Sequence, residues 1–272
     1  MKDLEKAGSY DMVGPGTFDT FSMGFFYALQ SVRYMGPLRS YPERHYLVSG
    51  AGVKSVGKSG ENTPHLLFEH KDAIRSDVNR WLESFSIPYE LDINLKGDDE
   101  VMGDILTISL KDVNTGIRVS PSDVGFGIGQ LLPIIVEGLF SRSNILCVEQ
   151  PEIHLHPRLQ ASLADFFIET SQNLCNGKST PSSSRRTSRR NRNTGHPRSN
   201  QWIVETHSEA LMLRLQKRIR EGVVSPKDVS VLYVEPAKEG GRIISLPLDD
   251  NGDFLKEWPD GFFEEAFEEM IG

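Results

Sequence analysis

What this chain has little of narrows it first. Its 272 residues include only two cysteines, Cys147 inside an apolar run and Cys175 beside a polar stretch. Two thiols make no disulfide framework, so a small bridge-stapled scaffold is excluded and a reducing compartment fits. No apolar run approaches the roughly 20 residues that span a bilayer, and the opening "MKDLEKAGSY" lacks the apolar stretch of a secretory signal. No membrane association and a cytoplasmic location are the expectations. Acidic residues are missing from Gly177 to Asn200, where seven cations stand: Lys178, Arg185, Arg186, Arg189, Arg190, Arg192 and Arg198. Because the whole chain carries −8, those seven leave the remainder at −15.

That basic stretch also has almost no apolar side chains. It cannot offset the entropy of ordering by burial and reads as a disordered insert at about 177–200. A solvated spacer is one reading, and a grip on nucleic acid through phosphate contacts is another. Outside it, 38% hydrophobic and 25% charged residues describe an ordinary globular chain, long enough for one large domain or two small ones.

A phosphate loop with its proper setting is also lacking. "GVKSVGKSG" spells G-x-x-x-x-G-K-S from Gly52 to Ser59. Such a loop needs a strand before it and a helix starting at the Lys-Ser, so that backbone N–H groups and the helix end face the anion. Here "GENTPHLL" follows, and Pro64 biases Thr63 away from helical angles. No helix is expected to begin at Lys58, and the letters read as a Gly/Ser-rich surface loop.

What is present is alternation. "YELDIN", "DILTISL" and "GIRVSPSDV", the last two flanking the turn "KDVNTG", predict a small antiparallel region. From Gly129 onward, "GQLLPIIVEGLFS" predicts a helix, "NILCVE" a buried strand and "PRLQASLADFFIETSQNL" a helix opened by Pro157. "QWIVET", "SEALMLRLQKRIREG", "DVSVLYVE" and "GRIISLPL" continue as strand, helix, strand and strand. The order predicts an α/β fold, with a mostly parallel sheet flanked by helices. A division into 1–120, holding the small β region, and 121–272 is expected.

The chemistry gathers in "NILCVEQPEIHLHP". Glu149 ends a buried strand, where ligands collect in open α/β sheets, and a carboxylate there can hold Mg²⁺ against nucleotide phosphates. His154 and His156 also form an H-x-H pair which, with Glu149, Glu152 and His207, would sketch a metal-hydrolase site. His207 follows an apolar strand and Ser208 stands where a helix would be capped.

Three stretches in order resemble the ABC-type ATPase heads of the RecF, SMC and overcoming-lysogenization-defect group, bacterial ATPases assigned to the AAA family. "SDVGFGIGQ" looks like the signature motif, "ILCVEQPEIHLHP" like Walker B with the D-loop, and "WIVETHSE" like the strand ending in the switch histidine. "YMGPLRSYPERHYL" and "WPDGFFEEAFEE" are similar to the same group. The resemblance implies ATP and Mg²⁺ as cofactors, with Glu149 on the metal. It implies nucleotide contacts by Ser122, Gly125, Gly127, Gly129 and Gln130, the element that completes the site of an opposing subunit. Glycines just before a helix allow close approach to a phosphate oxygen, which suits that role. His207 would meet the γ-phosphate or orient water. Where the group carries a water-activating glutamate this chain has Gln150, which can orient water but not take its proton, leaving Glu152 as a substitute base.

Nothing in residues 1–45 supplies the strand and phosphate loop with which such heads begin. The chain resembles the carboxyl-terminal half of a head. A composite ATPase completed by a homo-oligomer or by a Walker A-bearing partner is the expectation, with DNA maintenance or phage defence as implied settings. A non-hydrolysing interaction subunit on the same fold is the alternative.

Overall fold

A computed structural model describes residues 15–47, 52–97, 105–172, 199–237 and 240–256. Its centre is the helix predicted from "GQLLPIIVEGLFS". Leu131, Leu132, Ile134, Ile135, Val136 and Leu139 are all buried, and a helix apolar around so much of its surface is stable only when wrapped by other elements. In chain order those elements are α1 (Pro15–Gln30), β1 (Val32–Met35), β2 (Tyr46–Leu47), α2 (Thr63–Glu69), α3 (Lys71–Ser84), β3 (Tyr89–Lys96), β4 (Ile105–Asp112) and β5 (Arg118–Val119). The central helix α4 (Phe126–Phe140) follows, then β6 (Ile145–Glu149), α5 (Pro157–Gln172), β7 (Gln201–Glu205), α6 (Glu209–Arg220), β8 (Leu232–Ala237) and β9 (Gly240–Ser245).

On one side of α4 lies the parallel sheet, ordered β1-β6-β7. β6 is in the middle and pairs in parallel with both neighbours, Val148 opposite Met35 and Val204. The carboxyl ends of all three strands therefore open on one edge. On the other side, β2, β4, β3 and β5 form the antiparallel sheet expected from the alternating strands. Leu91, Ile93, Leu106, Ile108 and Leu110 point inward from it, on the side of Val78 and Trp81 of α3. The α/β class with a parallel sheet, covering helices and a small antiparallel region is as predicted.

Two expectations need correcting. β8 and β9 do not extend the parallel sheet but pair antiparallel as a ribbon of their own, because the short link between them permits a hairpin and not a crossover. β1 was not anticipated, since four residues are too few to show a period. Helix α4 begins at Phe126, so Gly127 and Gly129 lie inside its first turn and only Gly125 precedes it, as the N-cap. β1 pairs with β6, and one hydrophobic cluster takes residues from both sides of position 120. Cys147 is unpaired, with burial pushing its thiol up. The basic insert up to Arg198, Cys175 and the terminal "WPDGFFEEAFEE" lie outside the described residues. Among the described residues no helix is long and apolar enough to cross a membrane.

Candidate functional site

Because β6 and β7 are parallel neighbours, Glu149 and Glu205 stand opposite each other at the carboxyl edge. The chain leaves β6 through Gln150 in the left-handed region, φ 44°, and the Gln150 amide donates to the Glu205 carbonyl at 2.8 Å. A non-glycine residue held there is strained, and such strain concentrates at ligand-handling turns. The turn that follows carries Glu152 back beneath β7. One Glu152 oxygen accepts from the Thr206 hydroxyl and the other from the His207 amide, both at 2.7 Å. Glu152 thus ties the exits of β6 and β7 together, and both its oxygens are occupied by that task.

His207 is exposed at the end of β7, just before Ser208, whose hydroxyl accepts from the Leu211 amide and caps α6. His154 has φ 61°, within a turn and not a strand, so the alternation that would put His154 and His156 on one side is absent. His156 Nδ1 accepts from the Arg158 amide and caps the start of α5. Among the described residues no three His, Cys, Asp or Glu side chains come together to hold a metal ion.

The first turn of α4 meets this edge. A Cβ on Gly127 would sit 3.0 Å from the His154 carbonyl, and one on Gly129 would lie 2.8 Å from the Pro42 ring. Close packing therefore explains glycine at both positions, while Gly125 is exposed and a Cβ there would meet open space. Ser122 sits in a 3-10 turn, its carbonyl accepting from the Tyr41 hydroxyl at 2.7 Å. Gln130, 1% exposed, turns inward and exchanges two 3.3 Å hydrogen bonds with the backbone of Arg39. Glu149, Gln150, Glu152 and His207 are brought together, and Gly127 packs on the His154 carbonyl of the turn beside them. Gln130 and Gly129 lie beneath.

Two residues escaped sequence reasoning. Tyr34 on β1 donates its hydroxyl to Glu149 Oε1 at 2.8 Å, which raises the Tyr34 pKa. Arg39 is buried, which pulls its pKa down to about 10 against the pull of Glu152 and Glu149. Its guanidinium donates to the carbonyls of Glu149 at 2.8 Å and Gln150 at 3.1 Å. Both belong to "RYMGPLRS", whose only sequence signal was the similarity of the surrounding segment to ATPase heads.

The "GVKSVGKSG" loop proves not to open a helix, since α2 begins only at Thr63 with Pro64 in its first turn. Gly57 and Gly60 have φ of 86° and 76°, so the loop curls. Its donors face inward, with Glu61 Oε2 accepting from the amide and the hydroxyl of Ser59, both at 2.8 Å. Burial pushes the Glu61 carboxyl up, yet bonds from its own amide, Ser59 and Lys58 together hold it below the usual range. An internal carboxylate occupies the place that an external phosphate would need.

The sequence profile of the AAA ATPase domain matches residues 56–212, and that of a protein of unknown function, DUF3696, matches residues 224–271. No curated protein matches the chain. Among solved structures, one described under ATP-driven dimerization and DNA-stimulated activation of SMC ATPases is 13% identical, with TM-score 0.45 over 77% of this chain and 98% of that one. An SmcHead bound to the C-winged helix domain of ScpA is 12% identical with TM-score 0.45, over 70% of this chain and 47% of that one. The Smc head domain from Pyrococcus yayanosii is 13% identical with TM-score 0.45, over 75% of this chain and 30% of that one. At these scores they are likenesses and no more. The profile match spans more than half of the chain, and the chain belongs to the AAA ATPase domain family.

Proposed function

We propose that this chain is the carboxyl-terminal part of an ABC/RecF-like ATPase, binding and hydrolysing ATP at a composite site completed by a Walker A-bearing half or partner chain. The observation that carries this reading is the convergence at one sheet edge of Glu149, the Gln150 turn, the Glu152 clasp on Thr206 and His207, and the start of α4. The donor set suits magnesium, which takes one or two carboxylates and completes its shell with water and phosphate oxygens. Glu149 would hold the ion, and the ion would supply neutralisation of phosphate charge. Gln150 would orient a water and His207 would donate to the γ-phosphate, while the backbone at Gly125 would approach a phosphate oxygen of the nucleotide held by an opposing subunit. The partner is a second copy or a separate chain. DNA maintenance and phage defence are the settings in which such a head would act.

The test is ATP turnover by the chain with and without a Walker A-bearing partner. Glu149→Gln is expected to remove Mg²⁺-dependent turnover, because it deletes the anionic ligand. Gln150→Glu is expected to raise turnover. No rise would move base catalysis to another residue, and full activity in Glu149→Gln would sink the metal assignment. A non-hydrolysing scaffold role is favoured by one fact: both Glu152 oxygens are held by Thr206 and His207, so this carboxylate serves as a tie between the exits of β6 and β7. Absence of turnover with every partner, together with retained complex formation, would select it.

A further inference from the structure

Arg39 is 4% exposed, yet its guanidinium donates to main-chain carbonyls: Pro37 at 3.0 Å, Gln150 at 3.1 Å and Glu149 at 2.8 Å. Its Nε is buried without a partner. A buried cation is costly, and here it is spent on fixing the two peptides through which β6 ends. Its planar fork can reach both carbonyls at once, which a lysine ammonium cannot reproduce.

The backbone of the same residue is held by Gln130. The Arg39 amide donates to Gln130 Oε1, and Gln130 Nε2 donates to the Arg39 carbonyl. Gln130 sits in the first two turns of α4, whose N-cap Gly125 is exposed. A chain of contacts therefore runs from α4 through the Gln130 amide and the Arg39 backbone to its guanidinium, then to the carbonyls of Glu149 and Gln150. A second joint, the approach of Gly127 to the His154 carbonyl, ties the same two elements.

We propose that Arg39 is a positioning residue that couples the start of α4 to the Glu149–Gln150 peptides, so that a partner or ligand engaging the helix start sets the direction of the Glu149 carboxylate. The effect on Glu149 as a metal ligand rests on the proposed function, whereas the mechanical coupling does not. A rival role for Arg39 is charge alone, since its cation lies within the field of Glu149 and Glu152. The two roles predict opposite signs. Removing a nearby cation should tighten cation binding at Glu149, while loosening the carboxylate should weaken it.

The experiment compares wild type with Arg39→Lys, Arg39→Met and Gln130→Ala by hydrogen–deuterium exchange of the segments 126–132 and 148–155, and by Mn²⁺ titration followed by electron paramagnetic resonance. Gln130→Ala is expected to raise exchange in both segments, although Gln130 bonds to neither Glu149 nor Gln150, and to weaken Mn²⁺ about tenfold, the usual effect of losing an outer support. Arg39→Lys keeps the charge and is expected to behave the same way. Wild-type behaviour of Arg39→Lys with tighter Mn²⁺ in Arg39→Met would overturn the proposal in favour of charge, and so would increased exchange confined to 126–132 in Gln130→Ala. Should the Arg39 variants fail to fold, the neutral Gln130→Ala decides alone. Absence of Mn²⁺ binding in wild type, or its indifference to Glu149→Gln, would remove the metal assignment, with the exchange result still deciding the coupling.

Discussion

Lys58 stands where a phosphate-loop lysine stands in the letters, and somewhere else in space. Its carbonyl accepts from the Gly36 amide at 2.9 Å, and its ammonium lies 5.7 Å from the centre of the Tyr34 ring. The loop is thus docked on the exit of β1, with its anion place taken by Glu61. An exposed cation–π contact contributes about 0.5–1 kcal/mol, so Lys58→Ala should change nucleotide affinity of the complemented site by no more than about fivefold. Isothermal titration with ATP checks this, and a loss of most binding would return the loop to the role its letters suggest. Glu152 makes the same point from the other direction. Its residue type allows a base, but the Thr206 and His207 bonds make it a clasp.

At the scale of elements, α4 carries the argument. Glu137, 1% exposed in its middle, accepts from the Val56 amide and the Ser141 hydroxyl, both at 2.7 Å. Burial pushes its carboxyl up, against those two bonds and the Arg33 charge. The sign follows directly. Below the ordinary carboxylate range, near about 4.3, both states hold the proton. As pH rises the unfolded chain ionises first, so stability is lost up through the raised folded value and is level above it. Glu137→Gln should remove that slope, read as urea midpoints against pH for the variant and wild type. An identical slope in both would show that the burial carries no linkage.

The next residue tests packing. A Cβ on Gly138 would sit 2.6 Å from the Phe166 ring and 2.9 Å from that of Trp202. Gly138→Ala should therefore destabilise by about 1–3 kcal/mol through overpacking, outweighing the roughly 1 kcal/mol that alanine gains in a helix interior. Thermal denaturation decides it, and a stabilised variant would mean that α4, α5 and β7 separate easily.

At the scale of the whole molecule, the end of α5 and the entry to β7 meet at one place. Asn200, 5% exposed, donates to the carbonyls of Gly138 and Ser141 and accepts from the Asn144 amide, while its own amide donates to the Thr170 carbonyl of α5. The entry to β7 is thereby fixed against the end of α5 without the residues between. Replacing Lys178 to Ser199 by a short Gly/Ser linker should leave the melting temperature unchanged. Asn200→Ala should instead cost about 1–3 kcal/mol by stranding buried partners. If the insert grips nucleic acid, its deletion should also flatten the salt dependence of binding, because fewer counterions are released. Unfolding of the deletion variant would show that the anchor at Asn200 is insufficient.

The sequence by itself determined the elements whose periods are long and whose caps are local. The apolar run of α4, Pro157 at the start of α5, the Ser208 cap of α6 and the β3–β4 alternation are all written within a few residues of where they act. It also placed Glu149 at a strand end, because the short apolar run from Ile145 is cut off by Pro151 before it could make a helix of ordinary length. Tertiary structure alone decided what meets across distance. That β1 joins β6 depends on parallel pairing over more than a hundred residues, and no local pattern encodes a partner so far away. Gln130 turns inward to satisfy its buried amide on the Arg39 backbone, the "GKS" donors close on Glu61, and β8 pairs with β9 across a short link instead of entering the sheet. Residue type fixed what each side chain could do, and packing fixed which of those things it does.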